Sequence, residues 1–466
     1  MFKKIFNRIM WLGCLSAMLF APLPTTVFAQ TDTGTSPPKS ENNSSLIPAK
    51  SSEVTRYIDP VSGMTEDQAV TFALANNGEL AAARKEIEAA QALVKQARFR
   101  PNPSVEVSRA EQVGGSDNNF MVAGTLPLEL GKRRKSRISV AEAELSLREK
   151  TVADRERLLA AEVRMKFWET LAQIIKVKLT EDLLLASLSG FRLVQTRVVE
   201  GKIAPLEENM TLVEVNRLRS LRETEAGRAE ISMLEFRNTI GMSAEEPLRL
   251  RGDFKDLLSP LPSLGEATQQ ALQTRPDLQA MRAMESVAEA NIEQARASGR
   301  FDASFTAGYQ RMNTGFPVNG ITDTGALAPV QDIFHFFNFG IMLEIPVRNR
   351  NQGAIEAAII NADAAKKRRE FAELVVRREV ATAFARYESS ARAMEIFRVG
   401  VRDQANTNLE VVRQTYELGS RNLIDYLVEE RRFIELETQY IDAQLAVHHA
   451  RVEIKRATSA PQLIKK

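Results

Sequence analysis

The sequence predicts a mainly α-helical chain with a β-barrel part, built as one unit made twice. Three observations predict it. Prolines are missing from two long stretches, 77 residues between Pro127 and Pro205 and 114 between Pro346 and Pro461. Proline breaks helix interiors, so both stretches are expected to be long helices. The two halves of the chain match each other at a nearly constant offset. Each half also carries runs in which apolar and polar residues alternate, the pattern of strands.

Composition removes several function classes. The 466 residues are 44% hydrophobic, 26% charged and only 6% aromatic, with a formal net charge of +2. A charge so near zero argues against a dedicated nucleic-acid binder, so no nucleic acid is expected as a partner. One Cys rules out an internal disulfide framework. Three His, two of them adjacent, leave little material for a zinc enzyme site.

Residues 1–29 read as a secretory signal. Lys3, Lys4 and Arg8 form the charged start, Ile9 to Phe20 the apolar run, and Val27-Phe28-Ala29 the cleavage positions. Gln30 is the expected mature start. Cleavage takes away Cys14 and leaves 59 basic against 60 acidic side chains, close to −1. Trp11-Leu12-Gly13-Cys14 is a poor lipoprotein site, so no lipid anchor is expected. Residues 30–57, rich in Ser, Thr, Pro and Asn, are expected to be a flexible leader.

The repeat begins after the leader. Ala73-Leu74 meets Ala271-Leu272, Leu80 meets Leu278 and Ala97-Arg98 meets Ala295-Arg296, at an offset of 198. Thr125-Leu126-Pro127-Leu128 meets Glu344-Ile345-Pro346-Val347 at 219, and Glu200-Gly201 meets Leu418-Gly419 at 218. The growth of about 21 residues predicts a longer loop in the second copy. Repeat one is expected over 58–262 and repeat two over 263–460, followed by a tail, 461–466. Each reads helix, two strands, very long helix, sharp turn, long helix.

The opening helices are expected over about 64–99 and 264–298. The strands are expected within about 103–130 and 301–347. In the second pair, Phe301, Ala303, Phe305, Ala307 and Tyr309 share one face, as do Phe337, Phe339, Ile341, Leu343 and Ile345. The first pair shows Phe120, Val122, Leu126 and Leu128, with a weaker partner around Val105 and Val107. Such alternation over about ten residues suits a membrane β-strand or a half-buried soluble one. His335 is expected near the outer loop. The helix from about 133 to 200 would extend roughly 100 Å. Spacings of seven in Leu427, Ile434 and Ile441 and of four in Val163, Phe167 and Leu171 predict antiparallel coiled-coil packing. Four strands cannot close a barrel, and a membrane does not tolerate open sheet edges, so several chains must contribute.

With its doubled grammar, Leu126-Pro127-Leu128-Glu129-Leu130-Gly131 leading into Lys132-Arg133-Arg134, and the segment from Tyr416 to Asp425, the chain resembles the TolC-like outer membrane efflux family over about residues 60–460. The basic run after the first hairpin is similar to the heavy-metal resistance branch of that family. The resemblance implies a homotrimer with a twelve-strand barrel in outer-membrane lipid and an α-helical tunnel across the periplasm. It implies docking with a periplasmic adaptor and an inner-membrane pump of the resistance-nodulation-division type. The expected role is a passive exit duct, with divalent heavy-metal cations as cargo. Organic-solute or drug efflux and type I protein secretion stay open as alternatives. A soluble periplasmic coiled-coil scaffold is the competing class, and the alternating strands argue against it.

No catalytic set is visible, so neither enzymatic activity nor a cofactor nor a resident metal is expected. His448 and His449 are adjacent on a helix and point about 100° apart. Interest falls on two tight turns: Gly201-Lys202-Ile203-Ala204-Pro205 and Gly419-Ser420-Arg421-Asn422. Glycine stops one helix, while Pro205 and Asn422 start the next. The resemblance makes Gly201, Lys202, Ile203, Ala204, Pro205, Gly419, Ser420 and Asn422 the adaptor-docking tips. It makes Asp425 an acidic ring at the periplasmic constriction, and Tyr416 and Arg421 ties that hold neighbouring helices closed. The family's second Asp falls on Val428 here, and Glu429 is a possible substitute.

Overall fold

The computed structural model describes residues 54–254 and 261–459. The expected signal segment, the leader as far as 53 and the tail lie outside the described residues. The sequence predicts a leader as far as 57, but Val54–Tyr57 forms a helical turn, α1, whose Val54 and Tyr57 are buried. Two apolar side chains in four residues are enough to pin it to the body.

The first copy then runs through α2 (Glu66–Asn76), α3 (Gly78–Arg98), β1 (Ser104–Glu111), β2 (Asn118–Pro127), α4 (Arg133–Val199) and α5 (Pro205–Ile240). The second runs through α6 (Leu264–Thr274), α7 (Pro276–Ser298), β3 (Asp302–Ile321), β4 (Leu327–Glu344), α8 (Gln352–Ile396), a π-helical segment (Phe397–Arg402), α9 (Asp403–Glu417) and α10 (Leu423–Thr458).

The opening helix of each copy is two helices, not one. Thr65 and Gln68 form a capping box that starts α2; Ser263 and Glu266 form its counterpart at α6. Each box holds two otherwise orphaned N–H groups. The first break comes at Asn77, whose backbone is extended and whose Oδ1 accepts from Leu80 N at 3.0 Å to start α3. The second comes at Arg275, before Pro276, which lacks the N–H that would continue α6.

The four strands make one antiparallel sheet in the order β1-β2-β3-β4. Its register lines up Val107, Val122, Tyr309 and Phe337 across all four strands, then Val105, Gly124, Ala307 and Phe339. Glu106, Ala123, Gly308 and Asn338 lie on the other face. The alternation in the sequence thus becomes one apolar face shared by both copies. Phe337 and Phe339 are 73% and 74% exposed on it, so the chain's own core does not cover them. The extra residues of the second copy are strand, not the expected loop: β3 and β4 span 20 and 18 residues and meet through a short turn around Gly325. Cross-strand pairing satisfies backbone groups that a loop would leave to solvent. For the same reason His335 sits inside β4, with its Nδ1 2.6 Å from Tyr309 Oη, rather than beside an outer loop.

The main core lies where α4 and α5 meet α1, α2 and α10. Phe167, Leu171, Ile174, Met233, Phe236, Ile240 and Leu250 are essentially inaccessible there. A smaller cluster joins Ala267, Leu278, Val376, Val380 and Ile454 in the second copy. The heptad residues Leu427, Ile434 and Ile441 of α10 are all buried. Among the described residues no helix is long and apolar enough to cross a membrane.

Candidate functional site

The two helical hairpins end in turns of the same geometry. Gly201 and Gly419 both have φ of 74°, a conformation open to glycine at no steric cost. Behind them Lys202 N donates to Arg197 O and Ser420 N to Thr415 O, each at 2.9 Å. Ala204 stands before Pro205, the first residue of α5. Asn422 Oδ1 accepts from Asp425 N at 2.9 Å and starts α10. Ile203 is half-buried, and Lys202 pairs with Glu200 at 2.8 Å. The local signals that made these turns legible are therefore the ones that build them.

What holds the two hairpins together was not legible. Tyr416 Oη on α9 donates to Glu207 Oε2 on α5 at 3.2 Å. Burial, with Glu207 beside it, pushes the Tyr416 hydroxyl up to about 12, so it remains a donor. Arg197 Nη2 donates to Glu417 O at 3.3 Å. Deeper, Glu214 on α5 is fully buried between Arg217 of its own helix at 2.6 Å and Arg431 of α10 at 2.9 Å. Burial works to raise its carboxyl, but the two guanidiniums prevail and hold it below the usual range. Glu214 and Arg217 stand three apart, as in any exposed helical pair, so the sequence carried no sign of burial.

Glu430 is the odd member of this group. It is 3% exposed, and its Oε2 has no hydrogen-bond partner among the described residues. Burial, and then the charge of Glu214, push its carboxyl up to about 7. Glu430 lines a cavity of about 330 Å³ with Tyr416, Tyr426, Arg413 and Leu427. The rings of Tyr416 and Tyr426 stack at 6.0 Å.

Arg421 reaches Asp425 at 3.9 Å, one helical turn on, and both are about half exposed. In one chain, then, Tyr416 and Arg421 do not tie to each other. Tyr416 is bound across the hairpins, and Arg421 is held locally. Glu429 is partly exposed one turn below Asp425. His448 is buried and stacked on Trp168 at 3.8 Å, and burial pushes it down to about 4, a packed neutral ring. Among the described residues no three His, Cys, Asp or Glu gather as metal ligands.

The comparisons agree with this architecture. The outer membrane efflux protein family matches residues 70–232 and 267–460, one match to each copy. The cobalt-zinc-cadmium resistance protein CzcC of Cupriavidus metallidurans is 25% identical over 451 residues, covering 94% of this chain and 98% of that protein. A membrane protein from Pseudomonas aeruginosa superposes with a TM-score of 0.69 at 22% identity, over 84% of this chain and 92% of the other. The open state of the MtrE outer membrane channel of Neisseria gonorrhoeae gives 0.64 at 19% identity, over 85% and 89%. Family membership sets aside the soluble-scaffold alternative and places the protein in the outer membrane, extending into the periplasm, as a channel rather than a member of an enzyme family. With both copies matched, the chain belongs to the outer membrane efflux protein family.

Proposed function

We propose that three copies of the chain form the exit duct of a tripartite efflux system. The observation that carries this is the sheet. One of its faces is apolar across all four strands, and β1 and β4 each lack a partner on their outer edge among the described residues. In lipid each unpaired backbone group costs several kcal/mol, so the edges must be paired by other copies. Three copies supply twelve strands, enough to enclose an aqueous lumen.

The helical hairpins continue this wall into the periplasm. Their tips carry exposed Val199, Leu206, Leu418 and Ile424 around the paired turns. That apolar rim suits docking by a periplasmic adaptor, which in turn meets an inner-membrane pump. The duct is passive and the pump supplies the energy. The likeness to a cobalt-zinc-cadmium resistance protein supports divalent metal cations as cargo. Three Asp425 carboxylates, with Glu429 one turn away, form an acidic constriction that favours cations over anions.

The protein should fractionate with the outer membrane, require detergent and cross-link as a trimer. A soluble monomer would end this reading. In planar bilayers Asp425→Asn should weaken cation selectivity; unchanged selectivity would remove the ring.

A further inference from the structure

The foot of the sheet carries a charge that the duct itself does not need. Segments 98–100, 129–137, 296–302 and 344–350 converge where the strands give way to α4 and α8. They hold eleven basic and three acidic side chains. The three acids are already used. Glu129 pairs with Arg137, while Asp302 and Glu344 lie 3.2 and 3.9 Å from Arg133. These pairs, together with Arg134 donating to Arg98 O at 2.8 Å, fix the junction. Arg100, Lys132, Arg134, Lys135, Arg348 and Arg350 are exposed there, and none has a carboxylate partner among the described residues.

The other end of the sheet has the opposite character. Segments 109–117 and 311–332 contain Glu111, Asp117, Asp323 and Asp332 against two basic side chains, Arg109, which pairs with Glu111, and Arg311. The charge therefore changes sign along the strands and is not a general excess of base. Exposed Phe99, Phe301 and Ile345 sit beside the basic groups, at the end of the apolar face. Aromatic and aliphatic side chains at that level belong at a lipid interface, and the adjacent cations belong at headgroup phosphates.

We infer that this basic collar binds anionic phospholipid of the periplasmic leaflet, with phosphatidylglycerol-type headgroups held between Arg100, the Lys132–Lys135 run and Arg348–Arg350. The inference rests on the reading of the sheet as the membrane part with the helices in the periplasm. Attraction of several cations to an anionic surface is cumulative and screened by salt.

The test is native mass spectrometry of the detergent-purified full-length protein, with phosphatidylglycerol or phosphatidylethanolamine added. Wild type should retain phosphatidylglycerol at least about tenfold better, and raising the salt should erase the difference. The K132Q/R134Q/K135Q variant should lose the preference. K366Q/K367Q/R368Q removes equal charge about 20 Å further down α8 and should keep it. Equal retention of the two lipids by wild type, an unchanged preference in the collar variant, or selective loss of lipopolysaccharide instead would overturn the collar. The wild-type lipid and salt arms stand even where the variant fails to assemble. Failure of wild type to reach the outer membrane would instead count against the membrane placement.

Discussion

The two copies use one grammar, but their helical arms are built differently. α4 runs for 67 residues without a break and buries side chains from Ser136 to Val194. The matching arm of the second copy is interrupted by the π-helical segment Phe397–Arg402, which buries nothing. Around it, α8 buries only Ala365, Val376, Val380 and Ala383, and α9 only Ala405. A π turn widens the backbone bonding, and Gly400 within it adds freedom. The two arms divide the labour. Within one chain the first arm is scaffold, and the α8–α9 arm is held at its root and at a few polar ties near the tip. Displacing it disturbs little core.

The largest expected effect lies in the scaffold. Phe167→Ala, 1% exposed on α4, should cost about 3–5 kcal/mol in unfolding experiments. Val399→Ala, 57% exposed in the π segment, should cost under about 1 kcal/mol. Equal losses would mean that the two arms are anchored alike.

A smaller effect depends on pH. The Glu430 carboxyl lies near 7 in the fold against 4.5 in the unfolded chain. Below 4.5 it is protonated in both states and nothing is lost. Between 4.5 and 7 ionisation increasingly opposes the fold, by at most about 3 kcal/mol, and the penalty is full above 7. Glu214 faces it from α5 beside Arg217, and Arg431 and Tyr426 belong to its own helix. Acid should therefore tighten the contact between α5 and α10. Channel current should rise from pH 5 to 7.5, and Glu430→Gln should flatten that rise. An undiminished rise in the variant would remove Glu430 from the account.

Smaller again is Tyr416→Phe, which deletes one half-buried bond to Glu207. About 1 kcal/mol is at stake, which should raise the open fraction about fivefold. An unaltered open fraction would mean that the hairpins are held elsewhere.

Much of the fold was legible because it follows local rules. Missing prolines marked the long helices, alternation marked the strands, and glycine with Pro205 or Asn422 marked the tips. The breaks at Asn77 and Arg275 escaped because a capping Asn and a proline at the first turn of a helix look alike whether the helix starts there or continues. The lengths of β3 and β4 escaped because Thr, Asn and Gly within them read as loop until a partner strand supplies pairing. The site was half legible. Its turns carried their own signals, but the Glu214–Arg431 and Tyr416–Glu207 ties join residues more than 200 positions apart. No spacing within a helix reports such a contact.

Whether the duct is held narrow by its second-copy arms is decided by single-channel recording in planar bilayers. Wild type should give small, discrete, cation-selective steps, and Tyr416→Phe, which cuts the bond from α9 to α5, should make larger steps more frequent. Absence of steps from correctly assembled protein, or steps that Tyr416→Phe leaves unchanged or makes smaller, would contradict this.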